Sequence, residues 1–401
     1  PVNYSLRDGS GLAANYSLAD ETLTATITPK ALSISGSSAA NKIYDGTNSA
    51  VVTAGTLGSL VGSETVSVTA SGTYASVNVG SGINVTASYS LSDGSGLASN
   101  YTLANETLTS DITARALTIS GSSAANKTYD GTNSATITTG TLANLVSGET
   151  LSVAGSGSFA SVNVGSGINV STSYSLSDGT GTASNYTLAG ETLSADITAR
   201  ALTISSSAVT SKSYDGTNSA SITAGTLANL VSGETLNVTA SGSFASVNVG
   251  NGINVPASYS LSDGSGAASN YTLVGETLTG NITARALTIS GSAVASKAYD
   301  GTNSATISAG TLANLVSGET LSVAGSGSFA SVNVGSGINV STSYSLSDGS
   351  GAASNYSLAS ETLSGNITQK TLAVTGSTAS DKVYDASTSA SVSAGTLVGM
   401  V

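Results

Sequence analysis

Lys127-Thr128-Tyr129-Asp130-Gly131-Thr132-Asn133 is the stretch on which the reading of this chain turns. The same phrase stands around Tyr44, Tyr214 and Tyr299, and a worn copy, Tyr384-Asp385-Ala386, closes the series. Successive tyrosines are 85 positions apart, without slippage. A cation keeps the same beat at Lys30, Arg115, Arg200, Arg285 and Lys370. So does a Ser-Asp-Gly loop at Asp93, Asp178, Asp263 and Asp348, with Arg7-Asp8-Gly9 as its first copy. A fixed period this long marks whole domains in tandem, because solenoid coils are usually much shorter.

Intact units run 30–114, 115–199, 200–284 and 285–369. Residues 1–29 match the last third of a unit and residues 370–401 the first third. Both ends cut through a repeat, as expected of a window on a longer protein.

Within 115–199, Leu117 and Ile119 alternate with Thr118 and Ser120, which predicts a strand. Tyr129-Asp130-Gly131 is a turn signal in which Gly serves a positive φ. Ala135 and Ile137 predict a second strand. Leu142, Leu145 and Val146 have the spacing of a single helical turn. Leu151, Val153 and Phe159 continue an alternation that Gly155 and Gly157 interrupt, where a bulge or bend is expected. The longest strand is expected from Ile168 to Leu176, then a turn at Ser177-Asp178-Gly179. Tyr186 with Leu188, and Leu193 with Ala195 and Ile197, complete the unit. Six or seven short strands with Gly-rich turns predict an all-β fold, a tandem array of immunoglobulin-like β-sandwich repeats. A β-solenoid is the rival fold, disfavoured by the uneven strand spacing.

The seams between units carry no flexible linker. Ile197-Thr198-Ala199-Arg200-Ala201-Leu202 contains no Gly and no Pro. The alternation also changes phase there: Leu108 and Ile112 fall on even positions, Leu117 and Ile119 on odd ones. Such a slip swaps the buried face. One extended segment would therefore leave one sandwich and enter the next, with Arg115 at the crossover. The expected outcome is a stiff rod, each repeat adding roughly 35–45 Å from strands of about 10–12 residues at ~3.3 Å each.

Composition narrows the function. The chain has 401 residues, a formal charge of −12, and no His, Cys or Trp. The shortage of clustered cations argues against nucleic acid. No apolar run approaches a membrane span. Without Cys there is no disulfide framework. Lacking His and Cys, the chain also lacks the usual catalytic base and nucleophile, so no enzyme is expected, although Glu149 and Glu191 recur in every unit.

The phrase Lys-x-Tyr-Asp-Gly-Thr, with Ala-Leu-Thr-Ile at the unit start and Asn-Tyr-Thr-Leu near its end (Asn100 to Leu103, Asn185 to Leu188, Asn270 to Leu273), resembles the YDG-type and MBG-type repeats. These occur in large bacterial exoproteins similar to filamentous haemagglutinins. The resemblance spans essentially the whole chain. It implies β-rich stalk modules of secreted or surface-displayed adhesins, often exported by two-partner secretion. The departure is Asp385-Ala386, where the turn Gly is lost and a positive φ is disfavoured.

Read physically, Tyr129 closes one end of a thin core with its hydroxyl at the surface. Lys127 would pair with Glu149 or Asp130, or stay solvated. The turn motif thus comprises Tyr44-Asp45-Gly46, Tyr129-Asp130-Gly131, Tyr214-Asp215-Gly216 and Tyr299-Asp300-Gly301. A sharper reading makes Lys42, Lys127, Lys212 and Lys297 isopeptide lysines, cross-linked to an Asn such as Asn126 or Asn133. The Ser-Asp-Gly loops, or Asp111 and Asp196 at the junctions, would be the places for Ca²⁺, but the acids are sparse and Asn281 and Asn366 replace them elsewhere. No cofactor is expected otherwise.

The sequence thus points to a stalk or filament segment of a secreted bacterial adhesin. Its partners are neighbouring repeats, and other copies if it builds a filament; the surface ligand is unknown. Two alternatives remain open: repeats that themselves bind glycans or partner cells, and a fibre subunit assembled by strand exchange.

Overall fold

The structure is a computed structural model and describes residues 1–401. The chain divides into two compact units, residues 1–198 and 199–401, each described here by itself.

In the first unit, the repeat beginning at Lys30 folds into ten strands. They are β1 (Lys30–Ser35), β2 (Ser38–Ala39), β3 (Lys42–Ile43), β4 (Ser49–Ala50), β5 (Val52–Thr53), β6 (Thr56–Gly58), β7 (Val66–Tyr74), β8 (Gly80–Asp93), β9 (Tyr101–Leu103) and β10 (Glu106–Thr113). One sheet has the order β3-β10-β8-β7-β4, and a smaller one the order β6-β1-β9. A two-stranded pair, β2-β5, completes the repeat. The first strand lies parallel to β9 and antiparallel to β6, so it ties the start of the repeat to its last third. The repeats beginning at Arg115, Arg200 and Arg285 keep this plan. The array is therefore all-β and built of tandem two-sheeted repeats, the class expected of immunoglobulin-like sandwiches.

The long hairpin β7-β8 is the spine of the repeat. Its nine paired positions run from Val66↔Asp93 to Tyr74↔Val85. One face carries Val66, Val68, Tyr74, Val85 and Ala87, buried or half-buried; the other carries Ser and Thr in water. That alternation is what fixes the register, because a slip of one residue would put the apolar set outside.

Three local expectations are corrected. Leu142, Leu145 and Val146 form no helical turn: strand Thr141–Ala143 ends at Asn144, whose φ of 73° is incompatible with a continuing helix. The helical turns lie elsewhere, as 3-10 turns such as Ala183–Asn185. Gly155 and Gly157 make no bulge, since Leu151–Phe159 is a continuous strand. They are glycines because a Cβ would press on Ile137, 2.9 Å and 2.6 Å away respectively. The irregularity lies on the neighbouring strand, between Gly165 and Ile168. The Ala135–Ile137 strand is in fact two pieces, Ser134–Ala135 and Ile137–Thr138, which pair with different sheets.

The four repeats vary in concert inside the core. Tyr74 is replaced by Phe159, Phe244 and Phe329, all buried. Opposite it stand Ser110, Ala195, Gly280 and Gly365. The tyrosine hydroxyl donates to the Ala40 carbonyl at 2.9 Å and lies 3.1 Å from Ser110 Oγ. Where Phe removes the hydroxyl, the polar partner goes too, as satisfaction of buried groups requires. Volume is also conserved: Ala39 and Ala124 become Val209 and Val294 in the repeats that carry Gly. A Cβ on Gly280 would stand 2.7 Å from Val209 Cγ1 and 3.0 Å from Phe244 Cε1. Gly280→Ala should therefore cost about 1–3 kcal/mol by overpacking. Adding Val209→Ala recreates the pairing already present at Ala124 and Ala195 and should recover most of that loss. Urea unfolding of the single and double variants measures the coupling; simple additivity would refute the account.

Candidate functional site: the joint between repeats

Strand β10 ends at Thr113 and β11 (Arg115–Ser120) begins two residues later. Ala114 alone separates them, and β11 belongs to the small sheet of the next repeat. Ile112 and Leu117 lie in one buried cluster, together with Tyr44, Tyr74, Val85 and Tyr186. Residues of both repeats thus share a single core. In the second unit Ala284 separates Glu276–Thr283 from Arg285–Ser290 in the same way. Tyr214, Phe244, Val255, Ile282, Leu287 and Tyr356 form the matching cluster.

The Tyr-Asp-Gly motif sits at this joint. Tyr44 N–H donates to the Thr113 carbonyl at 2.9 Å, which holds the ring at the end of β10. Asp45 Oδ1 accepts from Thr47 N–H and its hydroxyl, both at 2.9 Å, and from Lys42 Nζ at 2.8 Å. This closes the turn and leaves Gly46 at φ +76°, where a Cβ would also stand 3.0 Å from Val146 Cγ1 of the next repeat. Gly is therefore needed twice over, for conformation and for close approach. Ala386 adopts φ 62° at the equivalent place, so the worn copy keeps the turn despite its Cβ.

The Tyr44 hydroxyl is not at the surface, contrary to the sequence-based expectation. Tyr44 is 4 % exposed, and its hydroxyl donates to Glu149 Oε1 at 2.6 Å, a residue of the following repeat. The other oxygen of that carboxylate accepts from Tyr186, also at 2.6 Å. The two rings meet edge to face, centroids 5.3 Å apart and planes at 79°. Tyr214, Glu319 and Tyr356 repeat the arrangement, at 2.6 Å, 2.6 Å, 5.4 Å and 79°. Room for the carboxylate comes from the second glycine of the Ser-Asp-Gly loop region. A Cβ at Gly181 or Gly351 would collide with the glutamate Oε2.

A second contact flanks the clamp. Asn185, 1 % exposed, accepts the Val79 N–H on Oδ1 and donates from Nδ2 to Asn78 Oδ1, both at 2.9 Å. Asn355 does the same with Val249 and Asn248, at 2.9 Å and 3.0 Å. Asp178 Oδ1 positions this asparagine by accepting the Ala183 N–H at the start of the 3-10 turn. Sequence reasoning offered Glu149 to the motif lysine and not to the motif tyrosine of the preceding repeat, and passed over Asn185. The available signal was the recurrence of Glu64, Glu149, Glu234 and Glu319 on the 85-residue beat.

The other sequence candidates find local roles. Arg115 donates to the Asn144 carbonyl (2.6 Å) and Oδ1 (2.8 Å), bracing the positive-φ turn. Arg200 with Asn229 and Arg285 with Asn314 repeat it. In the repeats that begin with Lys30 and Lys370, the position of this asparagine holds Ser59 and Gly399. Lys127 pairs with Asp130 at 2.7 Å, not with Glu149. It also donates to Thr132 and lies 5.7 Å from the centre of the Phe159 ring. Lys42, Lys212 and Lys297 are bound alike. Their ammonium groups are thus held as charged partners of aspartate. Of the asparagines named for an isopeptide bond, Asn126 accepts the Asp196 N–H on Oδ1, and Asn133 accepts the Phe159 N–H on its main-chain carbonyl. Asp111, Asp196, Asn281 and Asn366 each accept a glycine N–H at 2.8–2.9 Å, a task needing a carbonyl oxygen and not a charge.

Burial and the Glu149 carboxylate push the Tyr44 hydroxyl up to about 12. The Glu319 hydrogen bond and burial push Tyr214 up to about 12 as well. A raised tyrosine pKa means that the fold prefers the neutral phenol. Its stabilisation is complete below the ordinary value of 10 and is lost as pH rises from 10 to 12. Each two-unit shift corresponds to about 2–3 kcal/mol. Thermal stability should therefore weaken steeply as pH rises above about 10. In Tyr44→Phe/Tyr214→Phe that alkaline slope should be shallower; an unchanged slope would refute the assignment. On the acid side, Lys212 holds the Asp215 carboxyl down to about 2, so its contribution fades only as pH falls from about 4 towards 2.

The sequence profile described as "YDG domain" matches residues 28–109, 113–194, 198–280 and 283–363. No curated protein sequence matches the chain. Among solved structures, it is similar to the crystal structure of Drosophila N-cadherin EC1-4, at 10 % identity and a TM-score of 0.20, covering 88 % of this chain and 94 % of that one. It is likewise similar to Sidekick-1 immunoglobulin domains 1-5, at 12 % identity and a TM-score of 0.21, covering 82 % and 78 %. TM-scores this low assign no shared domain topology.

Proposed function

This chain belongs to the YDG domain family, and from that premise we propose that its repeats form a structural segment, a stalk or filament, of a secreted bacterial surface adhesin. The segment would supply length and stiffness outside the cell, for adhesion or for an extracellular matrix. The observation that carries this reading is the joint. Adjacent repeats within a unit are separated by one residue, share a core, and exchange a buried tyrosine–glutamate bond. A chain of independent binding modules has no need of such coupling, whereas a load-bearing one does. The carboxylates and lysines of the repeats are occupied in turns and joints, which favours a mechanical over a catalytic role. Only 11 Lys and Arg in 401 residues leave few sites for trypsin-like cleavage, an advantage outside the cell.

The test is electron microscopy of the parent protein from the producing cells, labelled with antibodies to residues 30–369. Label along a thin surface fibre, with this chain failing to bind a glycan array, is the expected result. Strong glycan binding by this chain would favour a binding module instead. Label confined to the cell interior would overturn the proposal.

A further inference from the structure

We propose that the tyrosine pair at each joint is a site of oxidative cross-linking, in which Tyr44 couples to Tyr186 and Tyr214 to Tyr356 as dityrosine. The inference stands on the joint geometry and does not depend on the adhesin reading. In each pair the two phenols come from different repeats. Both donate to the same carboxylate, so their hydroxyl ends converge on it and the edge of one ring meets the face of the other, with ring centres 5.3 Å and 5.4 Å apart. Tyr44 and Tyr186 are 4 % and 5 % exposed, Tyr214 and Tyr356 4 % and 6 %. A radical formed there is shielded from solvent and meets its partner first. Half-buried phenols elsewhere have a glutamate but no second ring on it: Tyr89 with Glu106, Tyr174 with Glu191 and Tyr259 with Glu276.

The chemistry balances with a one-electron oxidant acting twice. Each phenol gives up one electron and its hydroxyl proton, the glutamate accepting the proton and passing it to water. The two phenoxyl radicals join through the ring carbons ortho to oxygen, forming one C–C bond. Each ring then moves its ortho hydrogen to oxygen and regains its phenol. The product is the chain less two hydrogens per bond, with two electrons taken by the oxidant. The bond would join one repeat to the next covalently in a chain that has no cysteine to do so.

The experiment uses the full chain, a photoexcited ruthenium tris-bipyridyl complex as sensitiser and persulfate as terminal oxidant, at low dose. Monomeric product is digested with elastase and mapped by mass spectrometry. Cross-linked peptides joining Tyr44 to Tyr186 and Tyr214 to Tyr356 are expected, at roughly tenfold or more the yield of any pair among the exposed Tyr4, Tyr16 and Tyr384, because the joint fixes proximity. Tyr44→Phe should abolish the first bond and leave the second as an internal control of folding. Glu149→Gln should lower the first relative to the second. Cross-links scattered over exposed tyrosines, with none at the joints, would overturn the proposal. So would a first bond undiminished in Glu149→Gln.

Discussion

Tyr214→Ala is expected to be the most damaging single substitution in the second unit, destabilising its joint by about 3–5 kcal/mol, as large-to-small aromatic changes in cores do. The ring is 4 % exposed and lies in the cluster that joins two repeats. Its loss would open a cavity between Phe244, Ile282, Leu287 and Tyr356. It would also leave Glu319 with one phenol donor instead of two. Tyr214→Phe separates these effects. It keeps the ring and removes only the hydroxyl, and should cost about 1.5–3 kcal/mol, the range for a hydrogen bond to a charged group. Hydrogen exchange of the full chain, resolved by segment, is the suitable readout, since a repeat array need not unfold in one step. The protection lost in Tyr214→Ala should fall on both flanks of the joint, in residues 276–290 and in Thr311–Ala313. Protection lost only within 200–284 would mean that the core is not shared.

Glu319→Ala should be nearly as severe, at about 3–5 kcal/mol, for a different reason. One carboxylate accepts two short hydrogen bonds, and its removal leaves two buried phenols without an acceptor. Glu319→Gln keeps the shape and one acceptor oxygen, and should cost less than half as much. The partial rescue distinguishes a hydrogen-bonding role from packing alone. If both variants unfold at the same urea concentration as the parent chain, the clamp contributes nothing and its repetition at Glu149 is incidental. The same substitution at Glu149 should act on the first unit only.

Much of this architecture is legible in the sequence because β structure writes a period of two and tandem domains write a longer one. Leu117 and Ile119, Ile168 to Leu176, and Leu193 to Ile197 alternate visibly, and each lies in a strand. The phase slip around Arg115 marks the passage from one sheet to another. What the sequence hid is pairing at a distance. Glu149 reads as a strand-end acid within reach of Lys127 until the fold carries it to Tyr44, 105 residues away. Asn185 reads as a turn residue until it reaches Val79, 106 residues away. Leu142, Leu145 and Val146 have helical spacing by coincidence, because all three line the joint from a strand end and a turn. Gly155 and Gly157 look like bend residues, but they answer to the bulk of Ile137 across the core. Glycine marks conformational freedom and lack of space alike, and only the packing tells which.

Coupling at the joint is most directly measured as a distance. The chain has no cysteine, so Ser71→Cys and Ser156→Cys, on exposed strand positions of adjacent repeats in the first unit, give two unique attachment points. Nitroxides placed there report the spread of inter-repeat distances by pulsed electron spin resonance. One narrow distribution, broadening when Glu149→Ala is added, is the predicted result. A broad or two-peaked distribution in the otherwise unaltered chain would show repeats that hinge freely, and would contradict the account.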